Sequence, residues 1–385
     1  MGGAHPTLEN DMELSSEDSL RLNVMLAQEL KAVRIDESRM TVYALTPQGE
    51  ARVVLHPMVR DDQYLRGVRE LFSSHVLGSP GGYPVFLKRW TRMGQARDNM
   101  LHSLLLLGEP EAVVAVAHAP GLTPELARLA WWAMPEAENA RRMLEHPPVA
   151  ASGMGRELAR HLVEYLPFET ETKAIQDTVR LVLQPGLVDD AVRRDLWARA
   201  ARKGGYYVGF LQAAPDDLPE PSSAHVEAGT VAAALAELCA ADNPYAKALC
   251  RAMSPQGQAF LKTAEAAMDK LADEEGAVAL FKVIGGYFGE GVRPAGSRCG
   301  DSEAAQVRAE VCVADPATLA PALGSVLAAT PEQRERLVAL LTLALAGEEI
   351  LDSFFAHSDA VGPLMRRKLA PWTGPMLAQM RRLRA

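Results

Sequence analysis

Apolar positions change their period twice near the start of the chain. Ser15, three residues ahead of Asp18, resembles a capping box, and the apolar positions Leu20, Val24, Leu26 and Leu30 that follow suit a helix. Alternation then takes over. Val33 and Ile35, then Met40, Val42 and Ala44 alternating with Thr41, Tyr43 and Leu45, and finally Val53 to Leu55 predict three short strands, with Pro47-Gln48-Gly49 as the turn between the last two. From Asp61 to His75 the helical period returns, with Tyr64, Leu65, Val68, Leu71 and Phe72 on one face. The run Gly78-Ser79-Pro80-Gly81-Gly82-Tyr83-Pro84 closes this unit, because so many glycines and prolines can continue neither a helix nor a central strand.

From about Met93 to Ala214 the pattern is helical throughout, with breaks at Pro110, Pro120-Gly121, Pro135, Pro147-Pro148, Pro167 and Pro185-Gly186. A block recurs within it. Gly121-Leu122 precedes Glu125-Leu126-Ala127-Arg128 and Pro135; 32 residues on, Gly153-Met154 precedes Glu157-Leu158-Ala159-Arg160 and Pro167; a weaker copy has Gly186-Leu187, Asp190, Arg193 and Trp197. A helical repeat of this length predicts stacked helix pairs, with each repeated glycine at a left-handed C′ position or in a tight interhelical turn. The acid–arginine pairs Glu125/Arg128, Glu157/Arg160 and Asp190/Arg193 have the spacing that shares one helix face. They are expected to form a structural ladder, with the row Arg128, Arg160 and Arg193 as the alternative docking surface. Trp131, Trp132 and Trp197 are expected to pack between helices.

Beyond a Pro-rich linker around Asp216 to Ser223, segments near 228–241, 244–253, 255–273 and 276–288 are again helical. A glycine-dense stretch from Gly285 to Gly300 and a short strand over Val307 to Val313 follow, and four further helical segments finish the chain. The predicted fold is therefore mainly α: a small α/β N-terminal unit (12–84), an α-solenoid-like helical repeat array (85–214), a linker (215–224) and a C-terminal helical domain (225–385), with residues 1–11 read as an extension or tag.

Composition narrows the function classes. At 385 residues, with 48% hydrophobic and 23% charged residues, the chain has ordinary globular composition. A net charge of −9 argues against a dedicated nucleic-acid binder, whose affinity comes from clustered Lys and Arg. The longest apolar run, Leu337 to Gly347, ends at Glu348-Glu349, short of the about 18 residues that span a bilayer. The first eleven residues lack the apolar core of a secretory signal, and Met12 reads as the natural start. Four cysteines without a Cys-x-x-Cys pair fit a reducing cytoplasm.

Few residues carry chemistry. The Gly81-Gly82 loop with Lys88, Arg89, Arg92 and Arg97 after it could converge on a phosphate or sulfate, but it lacks the Lys-Ser/Thr ending of a phosphate loop, and a solvated connector is the favoured reading. Gly285-Gly286-x-x-Gly289-x-Gly291 follows a helical segment where a dinucleotide fingerprint needs a strand. Cys299, between Arg298 and Gly300, is the one cysteine in a setting that favours thiolate; Cys239 and Cys250 read as small core residues, and Cys312 is ambiguous. No His-Glu-x-x-His or Gly-x-Ser-x-Gly signature occurs, and Glu157/His161 lacks a partner motif, so no metal, cofactor or catalytic group is assigned.

Four segments resemble a known family: SEDSLRLNVMLA (16–27), AVRIDESRMTVYALTPQGEA (32–51), RGVRELFSSHVLGSPGGYPVFLKRWTRMGQARD (66–98) and LLLLGEPEAVVAVAHAPGLTPELARLAWWAMPEAENARRML (104–144). They are similar to the DsrS sulfur reduction protein family, encoded with the reverse-acting dissimilatory sulfite reductase of sulfur-oxidising bacteria. The likeness spans most of residues 12–212, weakens beyond, and contains no catalytic motif, so no functional residue carries over. It implies a cytoplasmic accessory protein of sulfur oxidation. Together with the repeats this favours a non-enzymatic interaction protein that docks a protein partner from that pathway; the alternative is a thiol-dependent sulfur carrier using Cys299.

Overall fold

In the computed structural model, which describes residues 14–83, 98–293 and 298–385, the alternating segment folds into a three-stranded antiparallel sheet. Strands β1 (Ala32–Asp36), β2 (Thr41–Thr46) and β3 (Gly49–Val54) lie in sequence order, with Ala44 opposite both Val33 and Ala51. Helix α1 (Ser16–Leu26) starts where the capping box is read: the Ser15 side chain accepts from the Asp18 N–H at 3.2 Å. Helix α2 (Asp61–Leu77) buries Tyr64, Leu65, Val68 and Phe72 against Leu22, Met25, Val33 and Val42. Asp18 ties these parts together. Its fully buried carboxylate accepts from the Tyr64 hydroxyl at 2.6 Å and from the His56 N–H at 2.7 Å. Burial pushes the Asp18 carboxyl up, but the bonds from His56 and Tyr64 outweigh it and hold the group below the usual carboxylate range.

The chain divides into two compact units, Met1–Glu164 and Tyr165–Ala385, so a boundary falls within the segment read as one repeat array. The first unit continues with α3 (Asp98–Leu104), α4 (Pro110–Ala117), α5 (Pro124–Ala133), α6 (Ala137–Leu144), the short α7 (Pro147–Ala150) and α8 (Gly153–Tyr165). Helix α5 packs on α4, α6 and β1, and Trp132 fastens it to the sheet. The Trp132 indole N–H donates to Glu50 at 3.2 Å, and the Arg34 guanidinium stacks over both Trp132 and Tyr43.

The second unit opens with α9 (Thr172–Val182), α10 (Asp190–Ala200) and α11 (Gly204–Ala213). The first copy of the sequence repeat spans three helices, α5, α6 and the short α7; the second holds α8 and α9, on either side of the boundary between the units; the third holds α10 and α11. Of the repeated glycines only Gly186 is left-handed, at φ 79°; Gly153 is instead the first residue of α8, and Gly121 turns without a positive φ. The stretch read as a linker is strapped to this unit. Asp217 pairs with Arg193 at 2.7 Å, Glu220 with Lys262, and Asp216 with both Arg251 and the Tyr287 hydroxyl.

Helices α12 (Ala228–Ala234), α13 (Ala236–Ala240), α14 (Pro244–Met253), α15 (Pro255–Met268), α16 (Glu274–Gly289), α17 (Ser302–Ala314), α18 (Pro316–Leu319), α19 (Pro321–Ala329), α20 (Arg334–Ala344), α21 (Glu349–Phe355) and α22 (Gly362–Arg384) complete it. The strand expected over Val307 to Val313 is part of α17. Asp301 caps that helix at the Ala304 N–H, and Ala305, Ala309, Cys312 and Val313 fall on one buried helical stripe while Val307 and Val311 face outward. No helix among the described residues is long and apolar enough to cross a membrane. The longest apolar run is instead the core of the second unit: Leu337 to Ala344 of α20 are all buried, enclosed by α16, α17 and α22.

The glycine cluster in α16 has a packing cause. A Cβ added at Gly285 would overlap the Ala346 carbonyl, whereas Gly286 faces open space. Gly285→Ala should therefore destabilise the protein by about 1–3 kcal/mol through overpacking, and Gly286→Ala should leave it unchanged or stabilise it by up to about 1 kcal/mol. Chemical denaturation of the two variants checks the order; a Gly285→Ala variant as stable as Gly286→Ala would refute the packing account.

Candidate functional site

Apolar side chains left in water are the first places to look for a binding surface. Helix α1 turns Leu22, Met25 and Leu26 into the core, and this sends Leu20 and Val24, one helical turn apart, to the outside at 66% and 58% exposure. Beside them lies β3, whose outer edge pairs with no strand among the described residues. Between the two runs a groove of about 500 Å³, walled by Leu20, Val24 and Met25 on one side and Ala51, Val53 and Val54 on the other. Two cations rim it. Arg21 is paired with Glu17, and Arg52 has no ion-pair partner among the described residues. An open strand edge beside an apolar groove offers main-chain hydrogen bonds and side-chain pockets together, the combination that takes up an extended segment of another protein.

The sequence signal for this surface was an apolar arc too wide for one buried stripe. Leu20 and Val24 count toward a helix in the hydrophobic pattern, but periodicity alone cannot tell which part of the arc the core uses. That choice is made by the sheet and by Asp18, which set the rotation of α1.

The glycine loop is differently employed. Gly81 and Gly82 are both left-handed, at φ 109° and 58°. The Gly82 N–H donates to Ser73 Oγ at 2.8 Å and the Tyr83 N–H to Glu109 Oε2 at 3.0 Å. The Tyr83 N–H thus faces a carboxylate of the same chain and the Gly82 N–H a hydroxyl, and a Cβ at Gly82 would overlap that carboxylate. Lys88, Arg89, Arg92 and Arg97 lie outside the described residues. Burial pushes the Glu109 carboxyl up, against the smaller opposing effects of the Tyr83 N–H and Arg69.

Cys299 also departs from expectation. It is buried at 6% exposure, and that burial pushes its thiol up despite Arg308 and Arg293 nearby, opposite to the thiolate-favouring setting read from Arg298 and Gly300. The cysteines that do meet are Cys239 and Cys250, whose Sγ atoms lie 3.9 Å apart across the turn between α13 and α14. Both are partly exposed, and burial together with the neighbouring Cys239 pushes the Cys250 thiol up to about 12. Eleven residues of separation across a turn leave no Cys-x-x-Cys signature, so this pair was not legible as one.

The arginine row does not form a ladder. Arg128 pairs with Glu125 at 2.7 Å as expected. No ion pair joins Arg160 to Glu157 among the described residues, and Arg193 turns from Asp190 to Asp217. The three tryptophans pack: Trp131 lies edge-on to His161 at 4.7 Å, Trp132 sits on the sheet, and Trp197 meets Tyr207 and Phe210. No group of three or more metal-ligating side chains gathers among the described residues.

Glu109 supplies a test of the loop geometry. Its folded-state pKa is raised, so its contribution is most favourable below the unfolded value near about 4.3 and is lost as pH rises through the folded value. Glu109→Gln keeps an acceptor for the Tyr83 N–H without the buried charge. The substitution should raise the melting temperature at neutral pH, and the gain should vanish as pH falls to about 4; thermal unfolding across pH measures it, and a gain independent of pH would contradict the assignment. In comparison with known proteins, no family model, no curated protein and no solved structure matches the chain.

Proposed function

We propose that this chain is a non-enzymatic accessory protein of cytoplasmic dissimilatory sulfur oxidation, and that it works by docking a protein partner of that pathway in the groove between α1 and β3. The pathway rests on the resemblance to the DsrS family over most of residues 12–212. The mode of action rests on one observation, the exposed Leu20–Val24 strip beside the open edge of β3. The partner is expected to present an extended apolar segment with an acidic residue placed to meet Arg52. The reading of 85–214 as a solenoid-like array belongs to the same proposal; the sequence repeat itself and the wholly helical character of the described residues there support it.

Leu20 and Val24 are exposed, so the double variant Leu20→Asp/Val24→Asp should fold with an unchanged melting temperature and lose partner affinity by at least about tenfold. Affinity purification of both proteins from cells oxidising sulfur, followed by mass spectrometry, provides the check. Subunits of the sulfite reductase system enriched on the wild type and depleted on the variant are the expected result; equal recovery on both would remove the groove from consideration.

A second reading, a thiol-dependent sulfur carrier, is favoured only by the proximity of Cys239 and Cys250. Protein isolated from sulfide-grown cells should carry no sulfane sulfur under the accessory-protein reading. A persulfide or a sulfur bridge at Cys239 or Cys250, read by mass spectrometry, would shift the assignment to sulfur transfer.

A further inference from the structure

The second unit holds a concavity far in chemical character from the apolar groove. A cleft of about 360 Å³ opens where the first turns of α9 and α11 meet the connection between α15 and α16. Four cationic side chains line it: Arg202, Lys203, Lys270 and Arg366. None has a carboxylate partner among the described residues. Lys203 donates to the Glu169 main-chain carbonyl at 3.0 Å, Arg366 donates to the Leu271 carbonyl at 2.7 Å, and Lys270 lies over the Tyr207 ring at 5.1 Å. Carbonyls and a ring satisfy geometry without neutralising charge. The one carboxylate in the lining is Asp269; Asp273 close by is used to cap the Gly276 N–H at 2.9 Å. In a chain of net charge −9, four cations against one acid in a single cleft is a local reversal of sign.

The main chain adds to this field. Helix α11 begins at Gly204 and Gly205 with no side chain capping its first N–H groups, and α9 begins at Thr172, equally uncapped. Both helices are long enough for their dipoles to place partial positive charge at these ends. Gly204 lets the start of α11 approach Lys270 closely, since a Cβ there would press on the Lys270 Cβ and main-chain carbonyl. The floor holds an independent sign of a missing acceptor. Gln176 is 3% exposed, yet its Nε2 has no hydrogen-bond partner. The amide nitrogen lies beside Gly276 and the Gln176 Cγ beside Gly205, and both glycines line the cleft. A buried donor left unpaired is unfavourable, and a ligand oxygen would satisfy it.

We propose that this cleft binds a small ligand through a tetrahedral oxyanion, a phosphate or sulfate group. The oxyanion is received by the Gln176 amide and the first N–H groups of α11, inside the ring formed by Arg202, Lys203, Lys270 and Arg366. Multiply charged oxyanions fit this arrangement better than a carboxylate, because the donors come from several directions and the excess charge exceeds one. Ile175, Val208 and Leu271 form an apolar wall beside the cations, which leaves room for an organic portion.

The test is calorimetric titration of the full chain with inorganic phosphate, sulfate and phenyl phosphate, against sodium chloride at matched ionic strength. Saturable binding of any of the three, absent with chloride, is expected. Tighter binding of phenyl phosphate than of inorganic phosphate assigns an organic phosphate; equal affinity assigns the free oxyanion. Gln176→Met should weaken binding about tenfold, the loss of one hydrogen bond to a charged group, without lowering the melting temperature of the free protein, because the amide has no partner to lose. Arg202→Ala, at an exposed residue without side-chain partners, provides a second variant that should fold normally and bind several-fold more weakly. Heat effects no larger than those of chloride, or variants that bind like the wild type, would overturn the assignment.

Discussion

A helix with no polar face must be surrounded, and this constraint organises the second unit. Leu337 to Ala344 are buried on every side of α20, so α16, α17 and α22 have to pack around it. Close approach on one flank is possible only because Gly285 of α16 lets its backbone meet the Ala346 carbonyl. The same helix α16 carries Gly276 at its other end to the floor of the cationic cleft. Packing at the centre of the unit thereby places the groups that face the cleft, although the cleft lies away from α20.

The first unit solves a smaller problem with polar means. Its sheet has only three strands, with the α1 and α2 core on Val33, Val42 and Ala44 and Trp132 of α5 on Arg34 and Tyr43. The buried carboxylate of Asp18 ties α1 to this core by accepting from Tyr64 and His56 at once. Its pKa is held down, so this contribution is present above the unfolded carboxylate range and is lost as pH falls through the folded value. Glu109 runs the other way, its raised pKa making ionisation a cost at neutral pH. The two groups give the unit opposed responses to acid, and both serve structure: Asp18 rotates α1 so that Leu20 and Val24 face out, and Glu109 occupies the loop that would otherwise be open to an external anion.

The groove and the cleft differ in chemical character. The groove in the first unit is apolar with an open main-chain edge, a surface for a polypeptide. The cleft in the second is small, cationic and lined by uncapped helix ends, a surface for a small anion.

Local pattern was enough to read the three strands, the cap at Ser15, the buried face of α2 and the mainly helical character of the rest, because each depends on residues within a few positions of one another. It failed where two periods are compatible with the same residues: Val307 to Val313 alternates like a strand, and only the capping by Asp301 and the burial of Ala305 and Ala309 make it helix. Contacts between distant segments were beyond its reach. The partnering of Tyr83 with Glu109, of Arg193 with Asp217 and of Cys239 with Cys250, and the convergence of Gln176, Arg202, Lys270 and Arg366 on one cleft, are set by how helices stack. Side-chain chemistry is written in the sequence, but which groups meet, and which are left without a partner, is decided only when the chain closes on itself.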